Sequence, residues 1–155
     1  MRVLICGSRD WPEKHQGPIV SAMAGMYAAY GPDIVFIQGG APGADSIAKT
    51  YADLLQESDP RVTSLTFPAK WDEHDREGKT KVPCRCAASK ERCLAAGPRR
   101  NQQMMDEGRP TVVFAFHDFI RNSKGTKDMA RRADNASVPV YVTSRYRQSV
   151  SPGHR

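Results

Sequence analysis

Short apolar segments alternate with longer amphipathic segments along most of this chain. Five apolar segments are rich in β-branched and aromatic residues, as buried strands are: RVLIC at 2–6, DIVFIQ at 33–38, RVTSLTF at 61–67, TVVFAF at 111–116 and VPVYVT at 138–143. Four segments between them have the character of helices: 19–30, 46–56, 99–108 and 125–136. The alternation predicts an α/β fold with a mainly parallel five-stranded sheet between two layers of helices.

The second predicted strand runs into GGAPGAD at 39–45, and a helical segment follows. A glycine loop at a helix start supplies free backbone N–H groups and the positive end of the helix dipole, which suit a phosphate. A carboxylate would repel a phosphate, so we assign Asp45 to ribose hydroxyls. The alternative is that the glycines only permit a tight turn. The loop has neither the GxGxxG dinucleotide motif nor the GKS or GKT of a Walker loop.

Other strand ends carry similar groups. SKGT at 123–126 offers a second helix start, and Arg9, Arg99 and Arg100 can bind a phosphate bidentately. Because ligands of parallel sheets lie at the carboxyl ends of the strands, we expect one site for a nucleotide or sugar phosphate there. The predicted ligand-binding residues are Gly7, Ser8, Arg9, Gly39, Gly40, Gly43, Ala44, Asp45, Arg99, Arg100, Asn101, Ser123, Gly125 and Thr126.

The formal net charge of +6 favours an anionic partner, with a solvated basic surface and a flexible basic tail at 146–155 as the alternative. Nucleic acid ranks behind a small molecule, because aromatic residues, on which bases would stack, make up only 8% of the chain. The sequence contains no apolar run near the roughly 20 residues of a membrane helix and no signal-peptide pattern. We therefore predict no membrane association and a cytoplasmic location.

Residues 68–98 lack clear periodicity, and a structureless loop of that length is unusual in a compact domain. A structural zinc ion held by an insertion at about 72–96 would explain its order, because metal binding supplies folding energy. Asp72 or Asp75 is an alternative to the histidine ligand, and loosely packed thiols or a Cys84–Cys93 disulfide are alternatives to the metal. The predicted zinc ligands are His74, Cys84, Cys86 and Cys93.

The order GSRDW, GGAPGAD, PAKW, GPRRNQQM and SKGTKDM resembles the YspA-like branch of the SLOG superfamily, from residue 2 to about 143. That superfamily includes cytokinin-activating phosphoribohydrolases, DNA-processing protein A and nucleotide-sensing domains. The resemblance implies a Rossmann-like three-layer sandwich in a single domain at 1–145. It also implies a site for a nucleotide-derived ligand, such as a phosphoribosyl or ADP-ribose-like compound, and a homodimer.

The phosphoribohydrolases of that superfamily carry the motifs RKxxM and PGGxGTxxE. Arg100 matches the catalytic arginine of the first motif, with Asn101 in place of the lysine. In the second motif Met129 stands where the glutamate would be, and Asp128 lies one residue early, about 100° around the helix.

This departure favours binding without turnover, as in a sensor or a sequestering protein. The first alternative is a phosphoribohydrolase that cleaves an N-glycosidic bond. Hydrolysis of that bond normally uses a positioned carboxylate, and Asp45 could supply it together with Arg100. The second alternative is single-stranded nucleic-acid binding.

Overall fold

The computed structural model describes residues 1–146, and the predicted tail at 146–155 lies outside them apart from Tyr146. The five strands are β1 (Arg2–Gly7), β2 (Val35–Gln38), β3 (Thr63–Thr66), β4 (Val112–Phe116) and β5 (Val140–Thr143). The four helices are α1 (Gly17–Tyr30), α2 (Ala44–Ser58), α3 (Ala96–Gln103) and α4 (Gly125–Asn135). A π-helical turn, Met104–Gly108, extends α3, and short 3₁₀ turns lie at Glu13–His15 and Ile120–Asn122. Within residues 1–146 no helix has the length and apolar composition that crossing a bilayer requires.

All neighbouring strands are parallel, in the order β3-β2-β1-β4-β5, which confirms the predicted sheet. In register, Leu4 of β1 lies between Ile37 of β2 and Val113 of β4. The chain winds outward from β1 to one edge and then returns to β4 beside it. The order therefore reverses between β1 and β4, and a crevice opens there at the carboxyl ends of the strands.

Two buried clusters sit on opposite faces of the sheet, because successive strand side chains point to opposite sides. Val3 and Ile5 of β1 pack on one face with Ile19 of α1 and Ala48 of α2. Leu4 packs on the other face with Met104 of the π-helical turn and with Met129 and Ala133 of α4. This is a Rossmann-like sandwich, as the resemblance implies.

No helix or strand lies between Thr66 and Ala96 in the described chain, so this segment is held by isolated backbone hydrogen bonds and by side chains. The Asp75 carboxylate accepts the backbone N–H groups of Lys79 and Thr80, both at 2.8 Å. The Thr80 hydroxyl, together with these two backbone bonds, lowers the pKa of Asp75 to about 2. A separate small core joins the segment to α3; it comprises Cys84, Cys93 and Ala96, with Ala69, Trp71, Cys86 and Ala95 packed around them.

Candidate ligand cleft and metal cluster

A cleft of about 620 Å³ opens at the carboxyl ends of β1 and β4. Its walls come from the loop after β1, the start of α2, the segment before α3, α3 itself and the loop into α4. The structure brings these predicted ligand-binding residues together in its lining: Gly7, Ser8, Arg9, Asp45, Arg100, Asn101, Ser123, Gly125 and Thr126.

The three glycines of the GGAPGAD loop, Gly39, Gly40 and Gly43, lie outside the cleft lining, and so does Ala44. The Gly39 N–H donates to Asp45 Oδ2 at 3.0 Å, and the Gly40 N–H donates to a Gln38 side-chain oxygen at 2.6 Å. Gly40 and Gly43 have φ of 69° and 80°, a conformation that favours glycine. Two amides of the loop therefore donate to acceptors within the protein, and Gly40 and Gly43 form its turn.

Arg99 also lies outside the cleft. Its Nε donates to the Val82 carbonyl at 3.1 Å, and its Nη1 donates to the Glu73 carbonyl at 3.3 Å. The side chain therefore fastens the irregular segment to α3. Of the adjacent arginines, only Arg100 reaches the cleft.

Asp45 and Arg100 lie together in the cleft, on either side of Gly39. Arg100 Nη1 donates to the Gly39 carbonyl at 2.7 Å, opposite the N–H that Asp45 accepts. Burial raises the pKa of Asp45 to about 6, although Arg100 and the N–H groups of Gly39 and Ala41 favour its ionised form. Burial also lowers the pKa of Arg100, which the negative charge of Asp45 partly offsets. A buried carboxyl at the start of α2 and a half-buried guanidinium from α3 therefore line the cleft together.

Asp128 is not available to the cleft as a catalytic carboxylate. It accepts Asn101 Nδ2 at 3.0 Å and forms ion pairs with Arg132 at 2.8 Å and Arg131 at 2.9 Å. Met129, at the position of the hydrolase glutamate, is 1% exposed and packs in the core beneath the cleft. The start of α4 therefore places no carboxylate where the phosphoribohydrolase motif has one.

The loop into α4 contributes hydrogen-bond donors to the cleft. Ser123 Oγ accepts the Thr126 N–H at 3.0 Å, which caps the helix start, and Lys124 lies between them in the lining. His117 Nδ1 accepts a backbone N–H at 3.0 Å, so the neutral ring carries its proton on Nε2. This side of the cleft combines an ammonium group, hydroxyls and the positive end of a helix dipole.

The irregular segment supplies one wall of the cleft. Trp71 lines the cleft, with the Arg92 guanidinium carbon 4.1 Å and that of Arg9 5.3 Å from its ring centroid. Trp11, by contrast, is 3% exposed and belongs to the core. Arg92 is one of several basic residues of this segment and adjoins Cys93. Further lining residues are Cys6, Asp10, Ala41, Leu94, Gly97, Pro98, Met104, His117 and Lys124.

The four predicted metal ligands come together, with their ligand atoms within 4.8 Å of one another; they are His74, Cys84, Cys86 and Cys93. A tetrahedral site with metal–sulfur bonds of about 2.3 Å would place its ligand atoms about 3.8 Å apart. His74 Nδ1 lies 3.6 Å from Cys84 Sγ, and Nε2 lies 3.1 Å from the Glu91 carbonyl. Because a carbonyl only accepts, the Nε2 proton donates to it and Nδ1 keeps its lone pair for a metal.

Backbone groups support the sulfur atoms of the cluster. The Leu94 N–H donates to Cys86 Sγ at 3.3 Å. Burial raises the pKa of the Cys84 thiol, but the Cys86 N–H and the neighbouring His74 and Cys93 side chains outweigh it and lower the pKa to about 6. All four cysteines of the chain are free thiols in the structure, so the Cys84–Cys93 disulfide is not formed. The donor set therefore fits a metal ion.

Comparisons with known proteins agree with the fold and with the motifs. Residues 1–74 match the sequence profile of the YspA, cpYpsA-related SLOG family. The Gene 61 protein of Mycobacterium phage D29 is 31% identical over 139 residues, which cover 90% of this chain and 93% of that protein. These matches confirm the resemblance drawn from the motifs at the strand ends. The chain belongs to the YspA, cpYpsA-related SLOG family.

Proposed function

We propose that this chain binds a nucleotide-derived small molecule in the cleft and acts as a sensor or a sequestering protein. The observation that carries the proposal is the excess of positive charge in a concave site at the point where the strand order reverses. Two acidic side chains line the cleft, Asp10 and Asp45, against four cationic ones: Arg9, Arg92, Arg100 and Lys124. Such a site attracts and orients an anion.

The two sides of the cleft suit different parts of such a ligand. Lys124 and the first turn of α4 offer donors and positive charge for a phosphate. Asp45 and Arg100 offer an acceptor and a donor for the sugar hydroxyls. Because Asp128 is occupied by arginines and Met129 replaces the glutamate, we propose binding without cleavage.

A thermal-shift experiment tests the binding proposal with a panel of nucleotides, cyclic nucleotides and ADP-ribose derivatives. A ligand at 100 times its Kd should stabilise the wild type by about 2.7 kcal/mol, or about 5–10 °C in Tm for a chain of this size. Arg100→Ala and Asp45→Ala should lose the shift. Arg131→Ala, which removes an exposed arginine on α4, should keep it. If no compound in the panel shifts the Tm of the wild type, the proposal is wrong.

Hydrolysis of an N-glycosidic bond is a second candidate, and one observation favours it. Asp45 lines the cleft, and its pKa of about 6 lies near the range in which a general acid or base operates. Incubation with nucleoside monophosphates and analysis for free base tests this candidate. Release of base by the wild type but not by Asp45→Asn would establish it, and unchanged nucleotides would support binding alone.

We propose that the cysteine cluster holds a structural zinc ion. Three thiolates and one imidazole suit zinc, and they leave no open position for catalysis. The thiols must stay reduced, so we keep a cytoplasmic location as part of this proposal. Metal analysis should find one zinc ion per chain in the wild type and none in Cys84→Ser. Cys6→Ala, which removes the cysteine outside the cluster, should retain the zinc; a wild type without any bound metal would contradict the proposal.

A further inference from the structure

Two guanidinium groups share one indole ring at the cleft wall. Arg92 lies over Trp71 at 4.1 Å and Arg9 approaches the same ring at 5.3 Å, both distances joining the guanidinium carbon to the ring centroid. In the described chain neither arginine forms an ion pair with a carboxylate. Asp10 follows Arg9 and also lines the cleft, but it pairs with neither of them. Both guanidiniums therefore have donors free for a ligand.

The indole ring itself is fixed by the segment around it. The Trp71 carbonyl accepts the Cys93 N–H at 2.6 Å, which ties its backbone to a residue of the thiol cluster. An ideal Cβ on Gly97 would lie 3.4 Å from the Trp71 ring, so the ring packs closely against the start of α3. A guanidinium stacked on a held ring loses less freedom when it binds an anion than a free surface arginine does.

Trp71 and Arg92 lie on a different wall of the cleft from the phosphate site proposed above, and Arg9 lies on the loop after β1, between the two walls. Trp71 follows β3, and Arg92 belongs to the segment before α3, whereas Lys124 and the start of α4 follow β4. The cleft spans both, and its volume of about 620 Å³ is within the range of about 300–1,000 Å³ of small-molecule sites. One cleft thus offers two separate places for negative charge.

We propose that Arg9 and Arg92, stacked on Trp71, form a second anion subsite, so that the ligand carries two phosphate groups. This inference rests on the proposed function, because it names the class of nucleotide that the same cleft takes. The first phosphate lies at the start of α4, and the second lies between the two guanidiniums, each of which can bind it through two N–H groups.

Calorimetric titration tests the subsite with AMP as the one-phosphate probe and with ADP, ADP-ribose and adenosine 3′,5′-bisphosphate as two-phosphate probes. At least one two-phosphate compound should bind wild type tenfold more tightly than AMP does. Arg92→Gln should weaken the binding of that compound at least tenfold and the binding of AMP less than twofold. Arg9→Gln should have the same effect. Because Arg9 lies on a different loop, this result would show that the Arg92→Gln effect does not come from misfolding of the segment beside Cys93.

Two further variants serve as references. Arg85→Gln removes the same charge from an exposed position outside the cleft and should change neither affinity. Lys124→Gln should weaken the binding of AMP and of the two-phosphate compound by the same factor. The inference is overturned if AMP binds as tightly as all three two-phosphate compounds, or if both arginine variants weaken AMP equally. Failure of every probe to bind wild type would instead overturn the proposed function.

Discussion

Cys93 donates its backbone N–H to the Trp71 carbonyl at 2.6 Å, which joins a metal-ligand candidate to the aromatic wall of the cleft. Arg92 and Leu94, on either side of Cys93, also line the cleft. The segment that would bind the metal is therefore the segment that shapes one wall of the ligand site. Occupancy of the two sites should be thermodynamically linked.

Removal of the metal should weaken binding of a two-phosphate nucleotide about tenfold, because Arg92 and Trp71 lose their support. Titration of that nucleotide before chelation, after chelation and after return of Zn²⁺ measures the effect. By reciprocity, the ligand should raise the affinity for zinc by the same factor. Cys84→Ser should respond neither to the chelator nor to added zinc. Equal nucleotide affinity with and without metal would show that the sites are independent.

Gly39→Ala should disrupt the Asp45–Arg100 arrangement. An ideal Cβ at Gly39 would lie 2.7 Å from Arg100 Cζ and 2.8 Å from Asp45 Oδ2, so both side chains must move. We expect a loss of about 1–3 kcal/mol in the free energy of unfolding and loss of ligand binding.

Gly25→Ala is the matched control for that variant. Gly25 lies within α1, and its Cβ would meet no atom within 4 Å. The substitution should stabilise the protein by about 0.5–1 kcal/mol, because alanine loses less backbone entropy than glycine. Urea denaturation and nucleotide titration of both variants test the pair. Unchanged ligand affinity in Gly39→Ala would show that the two side chains tolerate displacement.

The stability of the wild type should depend on the protonation of Asp45. Its pKa rises from 3.8 in the unfolded chain to about 6 in the fold, so the native state binds more protons between these values. Protonation of Asp45 therefore stabilises the fold by about 3 kcal/mol relative to the ionised form. This stabilisation is complete below about pH 4 and is lost as the pH rises through about 6. Urea denaturation of wild type and Asp45→Asn at pH 4.5 and pH 7 isolates the effect. A difference between the two proteins that stays constant with pH would contradict it.

Asn101 connects α3 to the start of α4, so its loss should loosen one side of the cleft. Its Nδ2 donates to the Gly125 carbonyl at 3.2 Å and to Asp128 Oδ2 at 3.0 Å, and the side chain is buried. Asn101→Ala should cost about 1–3 kcal/mol in thermal or urea unfolding. Asn101→Asp should cost more, because it sets a second carboxylate against Asp128. Equal stability of both variants and wild type would exclude this role.

Much of the fold was predictable because its signals are local. The short β-branched segments and the helical spacing between them predict every strand and helix of the sheet sandwich, and parallel topology follows from their alternation. The metal cluster was also predictable, since a polar segment with three cysteines and a histidine needs a source of order.

The site was predicted only in part, because its remaining features depend on tertiary contacts. Whether the Gly39 N–H is free for a ligand depends on the orientation of the Asp45 side chain. In the structure that N–H donates to the Asp45 carboxylate. Arg99 and Arg100 are adjacent in sequence, but helix geometry directs them into different surroundings. Trp71 and Arg92 meet across an irregular segment that has no period to relate them.

The central claim is that the cleft holds a nucleotide-derived ligand without cleaving it. Incubation of a nucleotide panel with wild type and Arg100→Ala, followed by calorimetry and mass analysis of each nucleotide, tests this claim most directly. We predict that at least one compound binds the wild type, is recovered intact, and binds Arg100→Ala at least tenfold more weakly. Recovery of a free base, or no binding by any compound, would contradict it.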